Sequence, residues 1–183
     1  GSNVTVPHKQ NVIPFMDEVS KAVEAIGAVN TIRVESNGTF FGDNTDAPGF
    51  IRDLSDHGVE VNGKRALVLG AGGSARAIVF GLAEAGCAQI SILNRTRSKA
   101  DDLAATMQSF FPHCAISAGQ GPDDIPQHAD GADLIVNTTS LGMSPNVETT
   151  PWDETVAFLP NQVAYDLVYN CLLYTSDAAD ESV

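Results

Sequence analysis

The sequence predicts an α/β fold built on a parallel β-sheet. Strand-like segments alternate with helical segments and begin at about residues 65, 89, 114, 133 and 162. The first of these strands leads into the glycine-rich turn 70–75, which is followed by a helical pattern over residues 74–85. Gly86 then suits a helix end, and residues 89–93 form the next strand. This strand–helix–strand unit is typical of doubly wound sheets.

The glycine-rich turn matches the pattern G-x-G-x-x-A, which binds the pyrophosphate of a dinucleotide. Gly70 permits a tight turn, Gly72 lets the backbone approach the pyrophosphate, and Ala75 allows close packing of helix on strand. Backbone amides at the helix N-terminus then face the phosphates. Such a turn is also compatible with an ordinary loop, so the interpretation depends on the strands and helix around it. We expect a Rossmann-like domain.

The end of the second strand indicates which dinucleotide binds. Asn94, Arg95 and Thr96 stand where an acidic residue would hydrogen-bond a free ribose hydroxyl. A guanidinium there suits a ribose phosphate, which it can hold through two parallel hydrogen bonds. A cluster of cations on this turn is also compatible with a solvated surface. Together with the glycine-rich turn, however, Arg95 favours NADP(H) over NAD(H).

Composition excludes several classes of partner and site. With 183 residues, 43% of them hydrophobic, the chain can bury a core. The net charge of -13 disfavours nucleic acid and anionic membranes as partners. The three cysteines have neither metal-ligand nor redox spacing, so we predict no metal site and the ordinary thiols of a reducing compartment. No apolar segment is long enough to span a bilayer and no leader opens the chain, so we expect a cytoplasmic protein.

A smaller region precedes the glycine-rich turn. We predict a strand over residues 3–6, a helix ending near residue 25, and two strands joined by Asn37-Gly38, which is a strong hairpin signal. A further helix over residues 46–57 would bridge to the second region. Polar residues crowd the strand ends and turns of this first region. Taken singly they are typical caps and turn formers: Asn3, Thr5, His8, Lys9, Asn30, Thr31, Asn44, Thr45 and Asp46.

Taken together, these motifs resemble the NADP-dependent shikimate 5-dehydrogenase family. The resemblance runs in order from residue 1 to about residue 170. It rests on the motifs at residues 3–9, 27–31, 42–50, 70–74 and 94–96, and is extended by those at 137–143 and 165–169. Several spaced motifs in the right order are far more specific than any one of them.

The resemblance implies a reaction and a set of residue roles. The reaction is the reversible reduction of 3-dehydroshikimate to shikimate by NADPH, in aromatic amino-acid biosynthesis. Lys9 and Asp46 correspond to the catalytic pair, which also contacts substrate, and Thr5, Asn30 and Tyr169 to further substrate-binding positions. The implied cofactor-binding residues are Gly70, Ala71, Gly72, Gly73, Ser74, Asn94, Arg95, Thr96, Arg97, Ser98, Lys99 and Leu167. The sequence leaves the oligomeric state open, with a homodimer as one alternative.

The chemistry agrees with a lysine in the catalytic role. A hydride that arrives at a carbonyl leaves negative charge on the oxygen, and a positioned acid that protonates it typically contributes about a hundredfold or more. Lys9 can deliver this proton. The neighbouring His8 is an alternative base, which we rank lower because the family tolerates aromatic residues at that position.

The chain departs from the family pattern at both ends. The family has a strand and a helix before the first motif and closing helices after the last one, whereas residues 171–183 show no resemblance. We therefore expect a partial substrate-binding domain at residues 1–45, a bridging helix and linker at 46–61, an NADP-binding domain at 62–170 and a non-family tail at 171–183.

Two alternative functions follow. The chain could be a catalytically inactive NADP-binding fragment of such an enzyme, since half of the substrate pocket would be missing. It could also be a quinate/shikimate dehydrogenase that uses NAD. Relatives that use NAD tend to carry an acidic residue near the Arg95 turn, and residues 94–99 contain none.

Overall fold

The computed structural model describes residues 1–5, 8–143 and 147–167, which form two β-sheets with helices packed around them. The first sheet has the order β1-β3-β4-β2. Strand β1 pairs antiparallel with β3, β3 pairs antiparallel with β4, and β2 pairs parallel with β4. Its strands are β1 (Ser2–Asn3), β2 (Glu18–Val19), β3 (Thr31–Val34) and β4 (Phe40–Asp43).

The hairpin predicted at Asn37-Gly38 joins β3 to β4, as expected. Gly38 has φ 89°, a left-handed conformation that glycine adopts without steric cost. The predicted helix ending near residue 25 is shorter than expected: helix α1 covers only Lys21–Ile26, after a 3-10 turn at Ile13–Phe15 and strand β2. Ser20 caps α1 by accepting a hydrogen bond from the Val23 amide at 3.3 Å. Pairing of β2 with β4 is a tertiary contact that the local pattern did not reveal.

The second sheet is fully parallel, with the order β7-β6-β5-β8-β9. This arrangement confirms the predicted fold class. Strand β5 is the first strand of this sheet along the chain. Strands β6 and β7 lie on one side of it and β8 and β9 on the other, so the carboxyl end of β5 is the topological switch point. The strands are β5 (Arg65–Leu69), β6 (Gln89–Asn94), β7 (Ala115–Gln120), β8 (Leu134–Asn137) and β9 (Val163–Asp166).

Helices connect the strands of the second sheet except at the last crossover. Helix α3 (Gly73–Glu84) follows β5, α4 (Arg97–Phe110) follows β6, and the short α5 (Ile125–Ala129) follows β7. Between β8 and β9 the residues that the structure describes, 138–143 and 147–162, contain no helix. The alternation of strands with helices predicted from the sequence therefore holds for the first three connections only.

Residues of β5 alternate between two core clusters, one on each face of the second sheet. Ala66 and Val68 belong to the larger core cluster, which also contains the buried residues of α3 and α4. Leu67 and Leu69 belong to the smaller core cluster, on the side of α5. Because both faces are covered, residues 66–69 form a continuous apolar run rather than an alternating pattern, as expected for a central parallel strand.

Helix α2 (Asp46–Asp56) links the first sheet to the second. It buries Ala47, Phe50 and Leu54. The Phe50 ring meets the edge of Tyr165 on β9, with centroids 5.0 Å apart, and the Tyr165 hydroxyl donates a 2.8 Å hydrogen bond to Asp53. The first residue of α2, Asp46, is thereby placed relative to the second sheet. The domain bounds at residues 45, 61 and 170 stay predictions.

No described helix is both long and apolar enough to cross a membrane. Cys87 and Cys114 are buried free thiols. Burial raises the pKa of Cys87 to about 11 and also raises the pKa of Cys114. Thiols in this environment are protonated and unreactive at neutral pH, which suits the ordinary cysteines predicted from their spacing.

We expect Tyr165→Phe to destabilise the fold by about 1–2 kcal/mol at pH 7, because it removes a hydrogen bond to a carboxylate. Burial, with the Asp53 bond and charge, raises the pKa of Tyr165 to about 12. The folded state therefore prefers the protonated phenol. The resulting stability is present below the unfolded pKa of about 10 and is lost as pH rises toward 12.

Urea unfolding of the wild type and of Tyr165→Phe between pH 7 and 11 measures both effects. The difference in free energy of unfolding between the wild type and Tyr165→Phe should become smaller above pH 10. Asp53→Asn is the matched control, since its amide oxygen can still accept the bond without the charge. Equal stabilities of wild type and Tyr165→Phe at pH 7 would contradict the proposed link between α2 and β9.

Candidate active site

Three polar side chains from different parts of the first region meet at the N-terminus of α2. Lys9 donates to one carboxylate oxygen of Asp46, with Nζ 2.8 Å from Oδ2. Asn30 donates to the other oxygen, with Nδ2 2.7 Å from Oδ1. The side chains of Lys9 and Asp46 are 28% and 43% exposed, whereas Asn30 is only 9% exposed. The carboxylate is therefore held by a buried amide, while the ammonium remains accessible.

Buried amide side chains fix the position of Asp46. Asn44 is 2% exposed; its Oδ1 accepts a hydrogen bond from the Asp46 amide at 3.1 Å, and its Nδ2 donates to the Ala28 carbonyl at 3.0 Å. The Oδ1 atom of Asn30 accepts from the Thr45 amide at 2.9 Å. From the sequence, Asn44 and Thr45 are each expected only to begin the helix. The structure adds that Asn44 ties the start of α2 to the segment before β3.

The backbone also brings Lys9 close to this cluster. The Lys9 carbonyl accepts a 2.8 Å hydrogen bond from the amide of Val29, the residue before Asn30. Thr5 and His8 are exposed, and their side chains make no hydrogen bond to Lys9, Asn30 or Asp46 within the described parts of the chain. The structure thus brings together Lys9, Asn30 and Asp46. Tyr169 lies outside the described residues.

A cavity of about 730 Å³ opens at the carboxyl edge of the second sheet. It is lined by residues that follow four parallel strands, together with residues 150–154. Five of the predicted cofactor-binding residues lie on its wall: Gly70, Ala71, Gly72, Asn94 and Arg95. The remaining predicted ones do not contribute to that wall: Gly73, Ser74, Thr96, Arg97, Ser98, Lys99 and Leu167. Lys9 and Asp46 also lie outside it.

Gly70 is required by a close approach between two loops. Its φ is +110°, and a Cβ atom there would lie 2.5 Å from the Thr138 hydroxyl oxygen. That hydroxyl donates a 2.7 Å hydrogen bond to the Leu69 carbonyl, so it cannot easily move away. A Cβ atom at Gly72 would meet no atom within 4 Å. Gly70 therefore allows the turn to form, whereas Gly72 keeps the backbone on the cavity wall bare.

The two arginines near the end of β6 have different surroundings. Arg95 is exposed and lies on the cavity wall. Arg97, in the first turn of α4, instead bonds to Asp101 with Nε and Oδ1 3.0 Å apart. The backbone around Arg95 is held by Asn94, whose side chain donates to the Thr96 carbonyl at 2.8 Å. Of the two, Arg95 is the one that can reach an anion in the cavity.

Several residues of the cavity wall were not assigned from the sequence. After β8 they are Thr138, Thr139, Ser140 and Leu141, after β7 Gly121, Pro122 and Ile125, and from the last crossover residues 150–154. Their position directly after parallel strands could have identified the first two groups, because the carboxyl ends of those strands share one edge. The last group has no such local signal, since it reaches the cavity through packing of Trp152 on the smaller core cluster.

The cavity wall is electrostatically uneven. Arg95 supplies a positive charge on one side, and Asp153 and Glu154 lie on the segment contributed by the last crossover. The hydroxyl and the amide of Thr155 donate to Asp153 and lower its pKa, so this carboxylate is ionised at neutral pH. An anionic ligand group would therefore be drawn to the Arg95 side. In residues 1–5, 8–143 and 147–167, no group of three or more His, Cys, Asp or Glu could hold a metal ion.

Comparison with known proteins identifies two family models along the chain. Residues 1–32 match the model described as the shikimate dehydrogenase substrate binding domain. Residues 53–146 match the model described as shikimate / quinate 5-dehydrogenase. A shikimate dehydrogenase (NADP(+)) from Moorella thermoacetica is 46% identical over 176 residues, which cover 94% of this chain and 58% of that protein.

Two solved structures of shikimate 5-dehydrogenases have the same fold as this chain. A shikimate 5-dehydrogenase from Listeria monocytogenes, in complex with shikimate and NAD, matches with a TM-score of 0.85 and 29% identity over 96% of this chain and 63% of that one. The Thermus thermophilus shikimate 5-dehydrogenase, in complex with NADP(H) and shikimate, matches with a TM-score of 0.77 and 38% identity over 92% and 58% of the two chains. The chain thus spans about 58% of the length of the curated relative described above.

We expect Gly70→Ala to destabilise the protein by about 2–3 kcal/mol, because an alanine there combines a left-handed φ with a clash against Thr138. Gly49→Ala is the matched control: Gly49 lies inside α2, where a Cβ atom would meet nothing within 4 Å. This control should be neutral or stabilising by up to about 1 kcal/mol. Thermal and urea unfolding measure both variants. If the two substitutions had equal effects, the close approach at Gly70 would not be the constraint described.

Proposed function

Because the chain belongs to the shikimate / quinate 5-dehydrogenase family, we propose that it is an NADP-dependent oxidoreductase that interconverts 3-dehydroshikimate and shikimate. The observation that carries this proposal is the Lys9 ammonium held 2.8 Å from Asp46 at the start of α2. The same helix packs on the sheet that carries the nucleotide cavity. Helix α2 thereby connects the proposed proton-transfer pair to the sheet that carries the proposed dinucleotide site.

The proposed catalytic work of the protein is proton transfer. When bound, NADPH supplies the hydride that reduces the ring ketone. Lys9 then donates a proton to the oxygen on which negative charge develops, and in the opposite direction it accepts the proton of the hydroxyl. Asp46 keeps the ammonium in place and can accept a hydrogen bond from a neighbouring substrate hydroxyl. Because one Asp46 oxygen is bonded to Asn30, only limited rotation of the carboxylate is compatible with the site.

The proposed substrate contacts use the remaining hydrogen-bonding capacity of this cluster. Asn30 Nδ2 carries two hydrogens, one of which points to Asp46, so the other can serve a substrate hydroxyl. Thr5 and Tyr169 are the further substrate-binding positions of the proposal. These side chains are short or rigid and suit a small polyhydroxylated ring: Thr5, Asn30, Asp46 and Tyr169. The Lys9 side chain is 28% exposed, so its ammonium can still be approached by this ring.

The proposed cofactor site is the cavity at the carboxyl edge of the second sheet. Its volume of about 730 Å³ lies in the range of ordinary small-molecule sites. The amides of the glycine-rich turn and of Gly73 and Ser74 at the start of α3 would face the pyrophosphate. Arg95 would hold the ribose phosphate. Thr96, Arg97, Ser98 and Lys99 would shape the adenosine side, and Leu167 would lie near the nicotinamide.

A second candidate function is NADP binding without turnover. The observation that favours it is the coverage of 58% of the Moorella thermoacetica relative. A third, oxidation of quinate or shikimate with NAD, draws on the Listeria monocytogenes structure, whose complex contains NAD. The absence of an acidic residue in residues 94–99 speaks against the third. A cytoplasmic location and a homodimer belong to the main proposal, and sedimentation tests the dimer.

We expect Arg95→Ala to weaken NADP binding by about ten- to a hundredfold and to leave NAD binding unchanged, because only NADP carries the ribose phosphate. Titration calorimetry with both nucleotides measures this difference. Arg52→Ala is the matched control, since Arg52 is an exposed arginine of α2 whose neighbour is Asp56. Tighter binding of NAD than of NADP by the wild type would favour the third candidate instead.

We expect Lys9→Ala to lower the rate of NADP reduction with shikimate by about a hundredfold or more, without weakening NADPH binding. His8→Ala should retain most of the activity, which separates the two adjacent residues as proton carriers. Absorbance of NADPH follows the reaction. Near wild-type turnover by Lys9→Ala would contradict the proposed role of Lys9 in proton transfer. Binding of NADPH by a wild-type chain that does not oxidise shikimate would favour the second candidate.

A further inference from the structure

The main chain of Arg95 is held from the neighbouring strand by a glutamine side chain. Strands β6 and β7 pair in parallel, with Asn94 opposite Gln120 at their carboxyl ends. Gln120 extends its side chain to the first residue beyond β6 and donates from Nε2 to the Arg95 carbonyl at 2.8 Å. Gln120 is not among the residues assigned to the cofactor site from the sequence. This bond joins it to Arg95, which lies on the cavity wall.

Gln120 is itself firmly placed. Its backbone amide donates to Oδ2 of Asp124 at 2.6 Å, just before α5. The next residue, Gly121, donates from its amide to the Asn94 carbonyl at 3.3 Å. The Gln120 backbone is therefore tied to the strand on one side and to the start of α5 on the other. Its half-buried side chain has a fixed origin from which to reach Arg95.

The Arg95 backbone needs such a support because its side chain is exposed. An exposed arginine on a turn has many rotamers, and two parallel hydrogen bonds to a phosphate require a defined guanidinium position. The Asn94 side chain fixes the turn from within by donating to the Thr96 carbonyl. Gln120 fixes it from the adjacent strand. Together the two amides bracket the Arg95 backbone.

The support acts on one end of the ligand only. The glycine-rich turn, which would meet the pyrophosphate common to NAD and NADP, makes its own bond to β6 through the Gly70 amide and the Leu93 carbonyl, 2.8 Å apart. Gln120 does not take part in that bond. Loss of the Gln120 side chain should therefore alter recognition of the ribose phosphate and spare recognition of the pyrophosphate.

We propose that Gln120 is a positioning residue that sets the preference of the site for NADP over NAD by holding Arg95. This inference rests on the proposed function, in which the cavity binds NADP(H) through Arg95. The proposal extends the cofactor site from β6 to the neighbouring strand β7. Gln120 has no contact with the nucleotide in this proposal and acts through the Arg95 backbone alone.

The test compares NADP and NAD binding to the 183-residue chain and to Gln120→Met, which keeps the length of the side chain and removes the donor. Trp152, the only tryptophan of the sequence, lies on the cavity wall and reports binding through its fluorescence. We expect the ratio of NADP to NAD affinity to fall about three- to tenfold, with NAD affinity unchanged and the melting temperature lowered by no more than about 4 °C. Gln127→Met, an exposed glutamine on α5, is the matched control and should leave the ratio unchanged.

Two further variants keep the result decisive. Gln120→Asn retains the amide but is too short to span the two strand ends, so it should behave like Gln120→Met even if the methionine perturbs folding. In the double variant Arg95→Ala/Gln120→Met, the glutamine substitution should cause no additional loss of NADP affinity, because both act through the same guanidinium.

Three outcomes would overturn the proposal. Equal loss of NADP and NAD affinity would make Gln120 a purely structural residue of the sheet. An unchanged ratio of NADP to NAD affinity in both Gln120 variants would contradict the positioning role of Gln120. Additive losses of NADP affinity in the double variant would contradict it too. In either case, weaker NADP binding by Arg95→Ala would still support the proposed function. A wild-type chain with no preference for NADP, together with an Arg95→Ala variant that binds NADP as tightly, would instead remove both proposals.

Discussion

The packing of α2 against α3 and β9 is the constraint on which the rest of the site depends. The helix begins at Asp46, beside Lys9 and Asn30, and its apolar face lies against α3 and β9. A Cβ atom on Gly81 of α3 would lie 3.2 Å from the Ala47 carbonyl oxygen, so a glycine permits the close approach of the two helices. A displacement of α2 would carry the Asp46 carboxylate away from its position relative to the cavity at the carboxyl edge of the second sheet.

The polar contacts of α2 have different weights. The Lys9–Asp46 pair is partly exposed, and pairs of this kind contribute little to stability, typically up to about 1 kcal/mol. Asn44 is almost fully buried, and the loss of either of its hydrogen bonds would leave a buried polar atom unsatisfied. The buried side chains of Asn30 and Asn44 thus fix the start of α2, while the ion pair itself stays partly exposed.

Sequence reasoning succeeded where the signal is local. The parallel sheet followed from apolar strands alternating with helices, and the hairpin at Asn37-Gly38 followed from the requirement for positive φ. It was less successful for the helix predicted to end near residue 25, of which only α1 forms, since residues 18–19 pair with β4 as strand β2 instead. It also found only part of the cavity wall. Trp152 reaches that wall because its ring stacks on Phe158 and packs on the smaller core cluster, contacts between residues that no local pattern connects.

The fold class, the glycine-rich turn and the family can be inferred from the sequence, because strand periodicity, turn chemistry and motif order are properties of short segments. Which charged residues meet depends on the tertiary structure. Lys9 and Asp46 are separated by 37 positions and are joined by the first sheet, while Arg97 turns toward Asp101 and Arg95 lies on the cavity. The same applies to Gln120, whose side chain reaches Arg95 because parallel pairing aligns the ends of β6 and β7. Distances of this kind depend on the register of strands, and register is set by packing across the whole sheet.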